Sequence, residues 1–427
     1  MEPVIFHIDV NSAFLSWEAT YRMRELGETE DLRLIPVVVG GSEESRHGIV
    51  LAKSESAKKY GIVTGEPLVD ARRKCPGLVT VPPNFPIYVK YSNQLQQLLQ
   101  NYSPDIEQYS IDESFVDMTG TSQLFGPPIE AAHKIKDRVQ KELGFTVNVG
   151  ISNNKLLAKM ASDFKKPNLV HTLFPEEIET KMWPLPVSEL FFVGRQTAKR
   201  LYSLGIFTIG DLAKTDKKII HDNLKSHGDV IWEFANGISD SMDKVANKDA
   251  TPANRGYSNE TTIAFDVTDA HTAKAILLSL TETVATRIRA DHSYVSVVSV
   301  YMVDNEFKHT SRQATLTSST NVTNEIYDHV CKLFDQLWAG NPIRLLGVHT
   351  SKATSEQHRQ YSLFEEKNVE KLSKLDSAID AIRSKYGEDS VKRASFVRPS
   401  SDDASTSEGK PEINHMTGGL GKAKREK

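Results

Sequence analysis

Apolar and polar positions along this chain follow two periods, and the points where one gives way to the other mark the elements. Val4-Ile5-Phe6-His7-Ile8 is a nearly continuous apolar run closed by Asp9, which reads as a buried strand over 4–9. A helix is expected near 13–26, a strand over Leu34–Val39, and then the turn Gly40-Gly41-Ser42. Ala52–Tyr60 reads as a helix stopped at Gly61, a residue suited to helix C-termini. Residues 85–101 are expected to be helical. Asp105–Ile111 and Ser114–Met118 read as two short strands around a hairpin tip. A helix near 129–142 then precedes a strand at Thr146–Ser152. Such a mixture predicts an α+β sheet with helices laid on it.

From about 174 to 242 the pattern turns all-helical, with glycines at 194, 205 and 210. The polar stretch 243–255 reads as a linker. A second α+β unit follows. Ile276, Leu280, Val284 and Ile288 recur at helical spacing, and Tyr294–Val303 is rich in β-branched residues. A strand near 310–316, a helix marked by Ile326, Val330, Phe334 and Leu337, and a strand at Ile343–Thr350 complete a compact four-stranded unit. After 355 the chain becomes polar, apart from an amphipathic helix over 369–386 carrying Leu372, Leu375, Ile379 and Ile382. Beyond about 397 the composition predicts a disordered tail.

The 427 residues allow roughly three domains of ~150 each. Cys75 and Cys331 are the only cysteines, which excludes a disulfide framework and suits a reducing cytoplasm. No apolar run reaches the ~18 residues of a membrane span, and no signal peptide opens the chain. A net charge of −4 means that any nucleic-acid surface must be local, at clusters such as Lys58-Lys59, Arg72-Arg73-Lys74 or Lys165-Lys166.

The chemistry centres on Ser110-Ile111-Asp112-Glu113 and on Asp9. Three carboxylates brought together could hold hard divalent cations. Two such ions about 3.5–4 Å apart serve phosphoryl and nucleotidyl transfer. Neighbours in a strand face opposite ways, so Asp112 and Glu113 can share a cluster only at a strand end or hairpin tip. An isolated Asp-Glu pair is more often a solvated turn; the surrounding motifs set this one apart.

Those motifs are His7-Ile8-Asp9-Val10-Asn11-Ser12-Ala13-Phe14, Gly48–Gly61, Tyr109–Phe115, Val149–Lys159 and Lys165-Lys166-Pro167-Asn168, with the segment 190–212. In order and spacing they resemble the lesion-bypass, Y-family DNA polymerases, the group containing bacterial DNA polymerase IV and the catalytic subunit of polymerase V. The resemblance runs from about residue 4 to 364. It implies an α+β multidomain right-hand polymerase. A ferredoxin-like palm would occupy 1–12 and 84–173, small fingers 13–83, a helical thumb with helix-hairpin-helix motifs 174–242, and an α+β little finger 256–355. Residues 356–396 would carry a clamp-binding motif and the amphipathic helix, and 397–427 the tail. The implied reaction is template-directed addition of a deoxynucleotide to a primer 3′-OH.

By the same resemblance, Asp9, Asp112 and Glu113 are the catalytic acids. With the Val10 backbone carbonyl they would hold two Mg²⁺ ions. Phe14 would be the steric gate against a 2′-OH, Lys58 and Lys166 would bind the triphosphate, and Ile49 and Leu51 would pack on the nascent base pair. Gly194, Gly205 and Gly210 would approach DNA, and Gln360, Leu363 and Phe364 would bind a sliding clamp. Primer-template DNA, dNTP, the clamp and accessory damage-response proteins are the implied partners, with no membrane and a cytoplasmic, nucleoid-associated location.

Two positions depart from the family pattern. Glu55 stands where polymerase IV-like members carry a phosphate-binding Tyr, so Lys53 or Ser54 compensates or Glu55 turns to solvent. Asn11 replaces a common Asp and is not counted as a ligand. A non-catalytic DNA-bound scaffold of the same fold is the main alternative, and a palm-fold nucleotidyl cyclase another; retention of all three acids and the thumb-like hairpins weigh against them.

Overall fold

The computed structural model describes residues 2–41, 46, 48–239, 254–355 and 369–396. They form two compact units, Met1–Gly41 with Ile49–Thr251 and Ser42–Gly48 with Pro252–Lys427. Gln360, Leu363 and Phe364, the tail beyond 397 and nearly all of the expected linker lie outside the described residues.

The first unit begins β1 (Ile5–Val10), α1 (Ala13–Glu25), β2 (Val37–Gly40), β3 (Val50–Lys53), α2 (Glu55–Lys58), α3 (Leu68–Lys74), β4 (Val79–Val81), α4 (Phe85–Leu99), β5 (Ile106–Gln108) and β6 (Glu113–Asp117). It continues α5 (Ser122–Phe125), α6 (Pro128–Leu143), β7 (Val147–Ser152), α7 (Lys155–Ser162), β8 (Val170–Thr172), α8 (Arg195–Ser203), α9 (Ile209–Lys214) and α10 (Lys217–Ala235).

Five strands make the main sheet, in the order β5-β6-β1-β7-β8. β1 is central and antiparallel to both neighbours. All of its residues are buried, because helices cover both faces; a one-sided strand would alternate. Phe6, Ile8 and Val10 enter a core shared with Trp17 of α1, Leu95 of α4 and Ile135 of α6. Period two turns His7 and Asp9 to the other face, where α7 packs through Ala158 against Ile5 and Phe115. Gly150 on β7 permits that packing: a Cβ there would lie 2.0 Å from the Ala158 carbonyl oxygen.

A smaller sheet, β3-β2-β4, has its own core of Val38, Val50, Ile62, Leu68 and Ala71. The helix expected over Ala52–Tyr60 begins later. Val50–Lys53 is strand β3, and α2 starts at Glu55. Ser54 sets the boundary: its Oγ accepts the Ala57 N–H at 3.0 Å and donates to the Ile35 carbonyl at 2.7 Å. A serine used as an N-cap ends one element and begins the next. The helices α8–α10 share a core with α7, where Leu156 and Leu157 meet Leu201, Ile209 and Phe234.

The second unit contains β9 (Gly256–Val267), α11 (Ala270–Ala290), β10 (Val295–Asp304), β11 (His309–Thr320), α12 (Thr323–Leu337), β12 (Ile343–Ser351) and α13 (Val369–Tyr386). The sheet order is β11-β10-β12-β9, antiparallel throughout. Ile276, Leu280 and Val284 of α11 and Ile326 and Val330 of α12 pack on Val298, Val300 and Leu346. α13 docks on this unit largely by charge. Arg289 reaches Asp376 at 3.2 Å and Asp380 at 2.6 Å, and Arg383 reaches Glu282 at 3.2 Å. Among the described residues no helix is long and apolar enough to cross a membrane.

Candidate active site

Pairing of β1 with β6 sets Asp9 directly opposite Glu113. Opposed residues in antiparallel strands project to one face with Cβ atoms ~5 Å apart. Asp112 lies one residue before β6, in the bend that follows Tyr109, so strand alternation does not turn it away. Ser110 fixes that bend, its Oγ donating to Asp112 Oδ1 at 2.6 Å and accepting from the Glu113 N–H at 3.1 Å. The Val10 N–H donates to the Asp112 carbonyl at 3.1 Å and ties the hairpin tip to the end of β1. The three acids therefore share one end of the sheet.

Two of them carry lysine counter-ions. Lys159 Nζ is 2.7 Å from Glu113 Oε2, and His7 Nε2 is 3.7 Å away. Burial opposes a charged Glu113, but the hydrogen bond from Lys159 and the electrostatic attraction of Lys159 and His7 outweigh it and hold its pKa at about 2. The Lys159 ammonium also sits 5.3 Å from the ring centres of both Tyr109 and Phe191, a cation–π seat. Asp9 behaves oppositely. Its burial pushes the pKa up to about 6, against the attraction of Lys166, which hydrogen-bonds it and also reaches Asp163 at 2.8 Å. Burial keeps the His7 pKa low, with Nδ1 2.7 Å from Ser162 Oγ.

Among the described residues no three His, Cys, Asp or Glu side chains close into a metal-binding group. The expected Mg²⁺ ligands are gathered at one sheet end, and lysines pair with two of them, Lys159 with Glu113 and Lys166 with Asp9. Their chemistry fits a hard dication: every donor is oxygen. The raised pKa of Asp9 marks a buried negative charge that the protein leaves under-compensated.

A cleft of about 440 Å³ opens beside the acids, lined among others by Val10, Phe14, Leu51, Lys53, Glu55, Lys58, Asp112 and Lys166. Ser12, with φ 46°, turns the chain from β1 into α1 and exposes the first helical turn to the cleft. Left-handed backbone at a non-glycine residue is uncommon and gathers at functional sites. Phe14 is stacked on Tyr88 at 4.8 Å and meets Phe85 edge-on at 5.9 Å, so its ring is fixed. Leu51 lines the cleft; Ile49 is 45% exposed and outside the lining. Asn11 is spent on structure. Its Nδ2 donates to Asn148 Oδ1 at 3.2 Å, and its Oδ1 accepts the Asn168 N–H at 2.9 Å, seating the loop that carries Lys166.

The three glycines of the helical segment 174–242 differ. Gly194 is the N-cap of α8 with no side-chain cap, and a Cβ there would meet open space. Gly205 has φ +79°, which favours glycine. Gly210 is buried, where a Cβ would lie 3.0 Å from that of Trp183, so its role is packing rather than approach to a phosphate. The N-terminus of α9 is already satisfied by the Thr208–Asp211 capping box.

Lys159, His7 and Asn148 have no role that the sequence disclosed. The motif Asn153–Lys159 was visible, but only the packing of α7 on β1 shows which of its lysines meets Glu113.

An acid-tipped sheet beside a basic cleft, with a helical hairpin unit on α7, is the layout of a polynucleotide-processing palm. Three models of one family match: impB/mucB/samB over residues 8–163, its C-terminal domain over 254–363, and the family's HHH motif over 175–206. A protein of Clostridium acetobutylicum named DNA polymerase IV is 47% identical, over 92% of this chain and 98% of its own. DNA polymerase IV 2 of Bacillus subtilis is 36% identical over 93% and 95%. A chimaeric Y-family polymerase built from Dbh and Dpo4 superposes with a TM-score of 0.69 at 22% identity, over 83% of this chain and all of its own. DinB from Sulfolobus solfataricus gives 0.54 at 23%, over 82% and 98%. This chain belongs to the impB/mucB/samB family, the bacterial Y-family DNA polymerases.

Proposed function

We propose that the protein is a template-directed DNA polymerase of the lesion-bypass type, acting in damage tolerance. The observation that carries this reading is the register that opposes Asp9 to Glu113, with Asp112 at the adjoining tip and two lysines across the cleft. Polymerase IV relatives over nearly the whole chain support it.

In the reaction, the primer 3′ oxygen bonds to the α-phosphorus of a dNTP, the bond to the bridging oxygen breaks, and pyrophosphate leaves; the hydroxyl proton passes to solvent. Asp9, Asp112 and Glu113, with the Val10 carbonyl, would hold two Mg²⁺ ions, whose charge would acidify the primer hydroxyl and neutralise the phosphates. Lys166 exchanges Asp9 for the triphosphate, joined by Lys58. Phe14, held flat on Tyr88, stands under the sugar and excludes a 2′-OH. Leu51 bounds the nascent pair, whereas Ile49 lies outside the cleft lining. Gly194 at the uncapped start of α8 offers N–H groups to a DNA phosphate. Gln360, Leu363 and Phe364 bind the sliding clamp.

Primer extension on undamaged and abasic templates, with wild type and Asp112→Asn, tests the reading. Templated addition past the abasic site that Asp112→Asn abolishes, with primer-template still bound, is the expected result. Near-normal extension by Asp112→Asn would refute the catalytic assignment.

A further inference from the structure

Glu55 occupies a place where an ionised acid would repel a triphosphate, and the cleft shows how this chain offsets it. Ser54 is excluded as the substitute donor. It is buried, its Oγ donates to the Ile35 carbonyl, and it accepts the N–H groups of Val37 and Ala57 at 3.2 and 3.0 Å. Glu55 itself lies 3.9 Å from Lys58, with both side chains largely exposed.

Lys53 differs from both. On β3 the burial alternates, with Val50 and Ala52 inward and Leu51 and Lys53 turned to the cleft. Lys53 therefore follows Leu51 by one strand period, on the same face, toward Lys58 and Lys166. Its ammonium meets the Thr64 hydroxyl at 3.4 Å, and among the described residues no carboxylate ion-pairs with it. Burial and the neighbouring Lys58 work against its charge, while Glu55 and Glu66 support it without pairing with it. Three lysines, Lys53, Lys58 and Lys166, thus line one cleft, and among the described residues Lys53 holds its ammonium free of a carboxylate pair for an incoming anion.

We propose that Lys53 is a specificity-determining phosphate ligand of this polymerase, donating to the nucleotide triphosphate in place of the contact that Glu55 cannot make. The proposal rests on the polymerase reading above. Lys53 supplies the third lysine that a triphosphate of three to four negative charges draws in, while Glu55 holds Lys58 until nucleotide displaces it.

The test uses the full chain with primer-template and reads two quantities separately: nucleotide Kd for a non-hydrolysable dNTP, and KM and kcat for single insertion. Lys53→Ala is expected to raise Kd and KM about tenfold, the scale of one charge-assisted hydrogen bond. kcat falls much less and primer-template affinity is retained. Lys53→Arg, which keeps the charge, should recover most of the loss. Unchanged Kd and KM in Lys53→Ala overturns the proposal, and so does a loss confined to DNA affinity, which would make Lys53 a DNA contact. A wild type that binds the triphosphate but never inserts it overturns the polymerase reading while Kd still judges Lys53.

Discussion

Asp9 and Glu113 face each other across two strands, yet the fold treats their charges in opposite ways. Asp9 has its pKa raised from 3.8 to about 6 by burial, so ionising it costs more in the fold than in the unfolded chain. Its contribution to stability therefore declines as pH rises from about 4 to about 6 and stays low above that range. Glu113 is depressed from 4.5 to about 2, so its pairing with Lys159 and His7 is fully stabilising above 4.5 and is lost as pH falls toward 2. In the presence of a chelator, Asp9→Asn is expected to raise the unfolding free energy near neutral pH by ~1–2 kcal/mol, with the gain vanishing below about pH 4. Denaturant unfolding at the two pH values measures it. A loss of stability at neutral pH would mean that the Lys166 contact outweighs the burial cost. Under the proposed catalytic role of the same carboxylate, the stabilised variant is expected to be inactive in primer extension, a trade-off of stability against activity.

At the scale of elements, α13 shows what a helical pattern discloses and what it conceals. The spacing of Leu372, Leu375, Ile379 and Ile382 places the helix at Val369–Tyr386, as expected, but not what it binds. Leu375 and Ile382 remain exposed, and the docking is carried by Asp376 and Arg383, both buried. Asp376 accepts the Thr323 N–H at 2.8 Å besides pairing with Arg289. Asp376→Ala leaves that amide and part of Arg289 unsatisfied and is expected to cost about 3 kcal/mol. Asp376→Asn, which can still accept, should cost less. Thermal unfolding reads both; an Ala variant as stable as wild type would mean that Asp380 and Glu282 suffice. The same division runs through the molecule. Pattern disclosed β1 and β7 as apolar runs buried on both faces, and α4, α6, α11, α12, β10, β11 and β12 with them, but left β9 unplaced. It misread 52–60, where Ala52 and Lys53 suit a helix but pair with β2, and Ser54 marks the true start. The acids were legible from their motifs, whereas the pairing of Lys159 with Glu113 depends on α7 packing on β1, a tertiary fact without a local signal.

For the whole molecule, a net charge of −4 gives no bulk attraction to DNA, so retention on a template rests on local contacts. Under the proposed function, Gln360-Tyr361-Ser362-Leu363-Phe364 adds a contact with a partner, the sliding clamp. Both flanks are anchored in the second unit: Thr354 pairs with Tyr294 through reciprocal backbone hydrogen bonds at 2.8 and 2.9 Å, and α13 is tied down at Asp376 and Asp380. Leu363 and Phe364 are the anchors such a pocket would take, each worth ~2 kcal/mol as an interface hot spot. Replacing both by Ala is expected to weaken clamp binding by roughly a hundredfold or more and to remove clamp-stimulated extension. Extension without clamp serves as the internal reference. Stimulation undiminished in the double variant would place the clamp contact elsewhere on the chain and leave this peptide without that role.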